Sequence, residues 1–154
     1  MYPSNFDTLT DVAKDLSGEI LEVAVFDKDM DPNHVLQDNL EWYITVKWQV
    51  SGLCAPGLGG DWHIRVNLES MGEGFEGTLN TQIEPVNSAP IATIRKYETT
   101  INLPKPEEVD GLIAGTYKLV LIITHTNTGA GQTKRTRMAG FYEGPLLDFV
   151  DAEV

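Results

Sequence analysis

The stretch Gly111-Leu112-Ile113-Ala114-Gly115-Thr116-Tyr117 runs straight into Lys118-Leu119-Val120-Leu121-Ile122-Ile123-Thr124, and its reading decides the fold. A turn glycine, then a tyrosine opening a long apolar strand, is what a Greek-key sandwich needs where the chain crosses from one sheet to the other. There the ring fills a corner of the core and the hydroxyl bonds back to the crossing backbone. The strand is apolar on both faces near its middle. Leu119, Leu121 and Ile123 point one way, Val120 and Ile122 the other. Either it is a central strand covered on both sides, or its outer face is a docking surface.

Outward from this strand, period-two alternation recurs. Leu21, Val23 and Val25 define a first strand. Leu40, Trp42, Ile44, Val46, Trp48 and Val50 give the clearest half-buried strand, and Trp62, Ile64, Val66 and Leu68 the next, after the glycine-rich loop Gly52 to Gly60. Weaker strand signals lie at Gly77 to Val86 and at Pro90 to Ile94. Tyr97, Thr99, Ile101 and Leu103 form another strand, closed by Pro104 and Pro106. A last strand runs over Met138 to Phe141 and on through Leu146 to Val150, after a hairpin loop at Asn127 to Thr133. About seven strands with turns between them predict an all-β, antiparallel Greek-key β-sandwich. Before it, Leu9, Val12, Ala13 and Leu16 fall at helical spacing behind a Thr8/Asp11 capping box, with Gly18 as a stop. The expected organisation is therefore an arm with a short helix over 1–19 and one sandwich domain over 20–154.

Strand count, the tryptophan-bearing third of the chain and the Gly115-Thr116-Tyr117 corner resemble immunoglobulin-like and fibronectin type III-like domains. The resemblance spans roughly Ile20 to Val150 and departs from antibody domains in lacking paired cysteines. It implies a fold, and a fold of this kind hosts many functions. By analogy with the family's intracellular members, it implies adaptor or assembly roles.

Size and charge narrow the classes. The 154 residues, 42% hydrophobic, suit one globular domain. A formal charge of −12 disfavours nucleic acid, which needs a basic footprint, and favours basic partners and cations. No apolar run reaches the ~20 residues of a membrane-spanning helix, so no membrane partner is expected. The first residues, Met1 to Asp7, carry no basic stretch with an apolar segment behind it, so no secretory signal is expected. A single cysteine, Cys54, fits a reducing compartment, and the expected location is cytoplasmic.

Candidate chemistry is sparse. Asp27, Asp29, Asp31 and Asp38 stand at positions one, three, five and twelve of an acidic stretch, the oxygen-ligand spacing of a helix-loop-helix calcium site. Pro32 stands where that loop needs glycine, and the flanks read as strands. A solvated turn whose carboxylates bond local backbone is favoured, with Ca²⁺ as the alternative and no other cofactor expected. His34, His63 and His125 are scattered without ligand spacing. Cys54 reads as a small loop residue. No Gly-x-Ser-x-Gly turn occurs, and Gly57 to Gly60 lacks the lysine and hydroxyl of a phosphate loop, so no enzyme is expected.

Trp42, Trp48 and Trp62 alternate with aliphatics and belong to the core. Tyr43, Phe26 and Phe141 face outward and are better anchors for a partner. Lys134, Arg135 and Arg137 form the one local basic cluster, suited to an acidic surface or to guarding an edge strand. The sequence thus points to a non-enzymatic interaction or assembly module. Its partner is a protein or a second copy, docking through Val120, Ile122, Tyr43, Phe141, Lys134, Arg135 and Arg137. The alternative is a ligand-binding sandwich holding calcium or carbohydrate.

Overall fold

The computed structural model describes residues 4–7, 15–129 and 132–152. The described residues form a two-sheet sandwich of nine strands: β1 (Ser4–Asp7), β2 (Ser17–Phe26), β3 (Val35–Gln37), β4 (Trp42–Ser51), β5 (Asp61–Ser70), β6 (Gly77–Pro85), β7 (Ile94–Leu103), β8 (Gly115–Gly129) and β9 (Gln132–Val150). One sheet runs β1-β9-β8-β5-β6, with β3 added in parallel to β9, and the other runs β2-β4-β7. Every other pairing is antiparallel. The chain changes sheets at every step from β1 to β5, and again between β6 and β7 and between β7 and β8.

Alternation in sequence becomes burial in space. Along β4 Trp42, Ile44, Val46, Trp48 and Val50 are buried while their neighbours are half exposed. In β5, Trp62, Ile64, Val66 and Leu68 do the same from the facing sheet. The three indoles are at most 1% exposed, as their period required. Trp48 stacks on Tyr97 at 5.3 Å between ring centroids and meets Trp62 edge-on at 6.4 Å. Offset and edge geometries are the ones aromatic quadrupoles favour, and each adds roughly 1 kcal/mol beyond area burial.

Tyr117 sits at the crossing from β7 to β8. It is 1% exposed, packs on Phe149 at 5.4 Å, and its hydroxyl donates to the Ile113 carbonyl at 2.8 Å. Gly74 lies flat against that hydroxyl, where any Cβ would collide with it.

Several expectations change. Residues 8–14, most of the expected helix, lie outside the described residues; Asp15 is in a turn and Ser17 already belongs to β2. The expected boundary at 19/20 therefore falls inside a strand. β1 joins the larger sheet, with its Phe6 laid against Gly18 and Gly140 and 6.1 Å from Trp62. No strand forms over Pro90 to Thr93, because the Arg95 guanidinium captures the carbonyls of Val86 and Ala89 and holds that segment as a loop. The hairpin after β8 is tighter than expected, with pairing continuing to Gly129↔Gln132.

Candidate interaction surface

The outer face of the larger sheet is built from the alternate residues that the core does not take. Register sets them in rows across β5, β8 and β9. Arg65, Ile122 and Phe141 form one row, Asn67, Val120 and Glu143 the next, and His63, Thr124 and Ala139 a third. From β6, Thr81 extends the first row and Ile83 the third. Phe141 and Ile83 are exposed, and Ile122 is half-buried.

Val120 departs from the expected docking role. It is 3% exposed, so Val120 and Ile122 do not stand open together. Its cross-strand neighbours are the longer Asn67 and Glu143, and the strand is covered there within its own domain. One position along, the Lys118 ammonium lies 3.3 Å from Glu69 and 3.7 Å from Glu143. Those bonds, Glu69's first, raise the lysine pKa above its ordinary value. Arg65 differs: among the described residues no carboxylate pairs with it, leaving an exposed cation beside Ile122.

The other proposed contact residues do not gather here. Tyr43 and Phe26 lie on the smaller sheet and are half-buried, cross-strand neighbours of each other. Tyr43 is therefore on the opposite sheet from Phe141, and the two cannot form one platform. Lys134, Arg135 and Arg137 lie on β9, and their side chains are outside the described residues.

The acidic turn closes on itself. Asp27 Oδ1 accepts the backbone N–H groups of Asp29 at 3.0 Å and Asp31 at 3.1 Å. The Asp31 bond is the largest of the causes that hold the Asp27 carboxyl below its ordinary range. Met30 takes the left-handed conformation, φ 61°, at the apex. Asp38 is engaged elsewhere, accepting from Ala152 N at 2.9 Å. Parallel pairing of β3 with β9 is the cause, since it carries Asp38 towards the end of β9. Among the described residues no group of three or more acidic, histidine or cysteine side chains is placed to hold a metal ion.

His125 is 1% exposed, with Nε2 2.7 Å from the Gly59 carbonyl and Nδ1 3.0 Å from Thr136 Oγ1. Burial pushes its pKa below the ordinary histidine value. It lines a pocket of about 420 Å³ with Leu16, Leu53, Cys54 and Leu58. Cys54 is exposed, and among the described residues no base stands hydrogen-bonded to it.

Two arginines escaped sequence reasoning. Arg95 shares its parity with Tyr97, Thr99, Ile101 and Leu103, so extending that alternation backwards by one step would have turned it inward. Arg65 had a weaker signal, a cation whose outward neighbours on β8 are apolar.

The geometry defines a class, a two-sheet, mostly antiparallel β-sandwich. Among solved structures, the C-terminal domain of wzt superposes with a TM-score of 0.54 at 12% identity, over 88% of this chain and 75% of that one. A β-glucosidase from Listeria innocua, in complex with glucose, aligns over 88% of this chain and 16% of its own, at 8% identity and a TM-score of 0.46. The first likeness establishes the fold alone. No protein-family model matches the chain, and no curated protein matches it.

Proposed function

We propose that this protein is a non-enzymatic interaction module with an immunoglobulin-like sandwich, acting in the cytoplasm and docking a protein partner on the outer face of the larger sheet. The finer fold assignment is supported by order. The smaller sheet, β2-β4-β7, and the run β9-β8-β5-β6 match the A-B-E and G-F-C-C′ order of fibronectin type III-like domains, with the tyrosine corner opening the sixth of those seven strands. The docking reading rests on one observation: Phe141 and Ile122 lie side by side next to Arg65, which pairs with no carboxylate among the described residues. An aromatic and an arginine at the centre of a flat face are the side chains that most often carry binding energy. An acidic or carboxylate-bearing partner surface complements them, because the guanidinium binds carboxylates in a two-pronged geometry.

A second reading has the same face bind a carbohydrate. An exposed aromatic ring amid Thr124, His63 and Arg65 offers a stacking surface with hydrogen-bonding groups at its margin. Partner capture on immobilised protein, with Phe141→Ser, Arg65→Glu and Tyr43→Ser compared, tests the first reading. Capture lost in the first two variants and kept in the third supports it. Equal capture by all three, with unchanged folding, rejects the face. Binding of soluble glycans that Phe141→Ser abolishes, with no protein captured, would favour the second reading.

A further inference from the structure

A different part of the molecule carries an inference independent of that face. At one end of the sandwich two loops, 52–60 and 86–93, contain no charged residue, in a chain where charged residues are 22% of the total and the formal charge is −12. The same end exposes large aliphatics. Leu53 is 72% exposed, Ile91 71%, and Ile94, at the start of β7, 57%.

These side chains are held by backbone that is tied down. Gly52 N donates to Thr93 O at 2.8 Å, Val86 N donates to Gly60 O at 2.9 Å, and Ser51 pairs with Ile94. Beneath them lies Arg95, 1% exposed. Its Nη1 reaches the carbonyls of Ala55 and Leu58. Its Nη2 lies within hydrogen-bond distance of the Val86 and Ala89 carbonyls and Asn87 Oδ1. The guanidinium thus spans both loops. The Tyr97 hydroxyl adds a 2.7 Å bond to Val86 O.

Depletion of charge together with exposed apolar side chains is the composition of an interface core. Rigid loops lower the ordering cost of binding. The occupant follows from charge. Two copies at −12 repel one another over most of their surfaces, and contact is least opposed at these two loops, which carry no charge of their own. An apolar patch is also complementary to itself, which a two-fold contact requires and a patch of one sign of charge does not provide.

We propose that the Leu53/Ile91/Ile94 tip is the contact through which two copies of this chain associate end to end, with buried Arg95 as the positioning residue that fixes both loops. The patch is small against the ~800 Å² per partner of a stable interface, so the dimer is weak and forms at high protein concentration. Salt should strengthen it, because screening relieves the remaining repulsion while apolar contact is unaffected by it. A contact made of ion pairs would respond in the opposite sense.

Sedimentation equilibrium over a wide concentration range, at low and high sodium chloride, tests this with wild type and the double variant Leu53→Ser/Ile91→Ser. Both positions are exposed, so the variant should melt with the wild type. The expected result is a wild-type dimer whose dissociation constant falls with salt, and at least tenfold weaker association in the variant. A wild type that stays monomeric at the highest concentration, a dimer that salt weakens, or equal association of both proteins overturns the proposal. Wild type that stays monomeric yet binds phosphatidylcholine vesicles through the same residues also overturns it, assigning the tip to lipid instead.

Discussion

The Tyr117 hydroxyl donates a 2.8 Å hydrogen bond to the carbonyl of Ile113, four residues back, across the turn that carries the chain from β7 to β8. Gly74 leaves room for it, so the hydroxyl is enclosed between one acceptor and one backbone. Tyr117→Phe keeps the ring and strips only this bond, at a cost of about 1 kcal/mol. Tyr117→Ala empties the corner beside Phe149 and should cost about 3–5 kcal/mol. Urea midpoints of the three proteins measure both. Equal midpoints for wild type and the phenylalanine variant would show that the bond contributes nothing.

Arg95 is the one Asp, Glu, Lys or Arg side chain buried among the described residues. Truncation removes the donor to the Leu58 and Ala89 carbonyls, while Ala55 O and Val86 O keep the Leu58 N–H and the Tyr97 hydroxyl; each group left unsatisfied costs about 1–3 kcal/mol. Arg95→Met, which keeps much of the stem, should lower the denaturation midpoint more than Tyr117→Phe does. Hydrogen exchange should show the loops at 52–60 and 86–93 losing protection together. Loss confined to one loop would mean that the guanidinium does not couple them.

The acidic turn gives a test with a sharp expectation. Asp27 is occupied by the N–H groups of Asp29 and Asp31, while Asp38 bonds Ala152, so millimolar Ca²⁺ should leave the melting temperature unchanged. A rise that Asp29→Asn abolishes would establish a calcium site, since a ligand bound only to the native state stabilises it by mass action. The depressed Asp27 carboxyl adds a pH dependence of its own: its contribution is present above the ordinary value of 3.8 and is lost as pH falls through the lower folded value.

His125 sets a pH dependence in a higher range. Its folded pKa is lowered, chiefly by burial, with His63 acting in the same sense and the Gly59 carbonyl and Asp61 opposing. Below the unfolded value of 6.5 the unfolded chain takes up the proton more readily than the folded one. Stability is therefore full above that pH and declines as pH falls from it towards the folded value. His125→Gln should flatten the decline in melting temperature between neutral and mildly acid pH. An unchanged slope would assign the decline to other groups.

Much of this architecture was legible because its strands obey one strong rule. The period-two alternation of Trp42 to Val50 and of Trp62 to Leu68 allows only one face inward, and Tyr117 marks the crossing by its own chemistry. Short strands without alternation were not legible. Ser4–Asp7 is placed by a single ring, Phe6, over two glycines, and Val35–Gln37 by pairing with a strand more than a hundred residues away. The same distance explains the aspartates: spacing along the chain put Asp38 with the turn, and parallel pairing took it away. Val120 and Tyr43 fall outside the expected docking surface for a related reason. Parity shows which side of a sheet Val120 and Phe141 occupy, but neither how far longer neighbours cover Val120 nor that Tyr43 belongs to the other sheet.

Val120 and Ile122 share one face of β8, yet one is buried and the other half-buried, and this separates stability from association. Val120→Thr replaces a buried methyl with a hydroxyl, and an unpaired hydroxyl away from water costs about 1–3 kcal/mol. Ile122→Thr keeps β propensity and removes apolar area that is partly solvated already, at roughly 25 cal/mol for each Å² that remains buried. The expected outcome is a lowered melting temperature for Val120→Thr with partner capture intact once folded. Ile122→Thr should melt closer to wild type and capture less. A thermal melt beside the capture assay checks both. If Ile122→Thr binds as well as wild type, the row of Arg65, Ile122 and Phe141 is an ordinary solvated face and the outer surface of the larger sheet is not where this protein meets its partner.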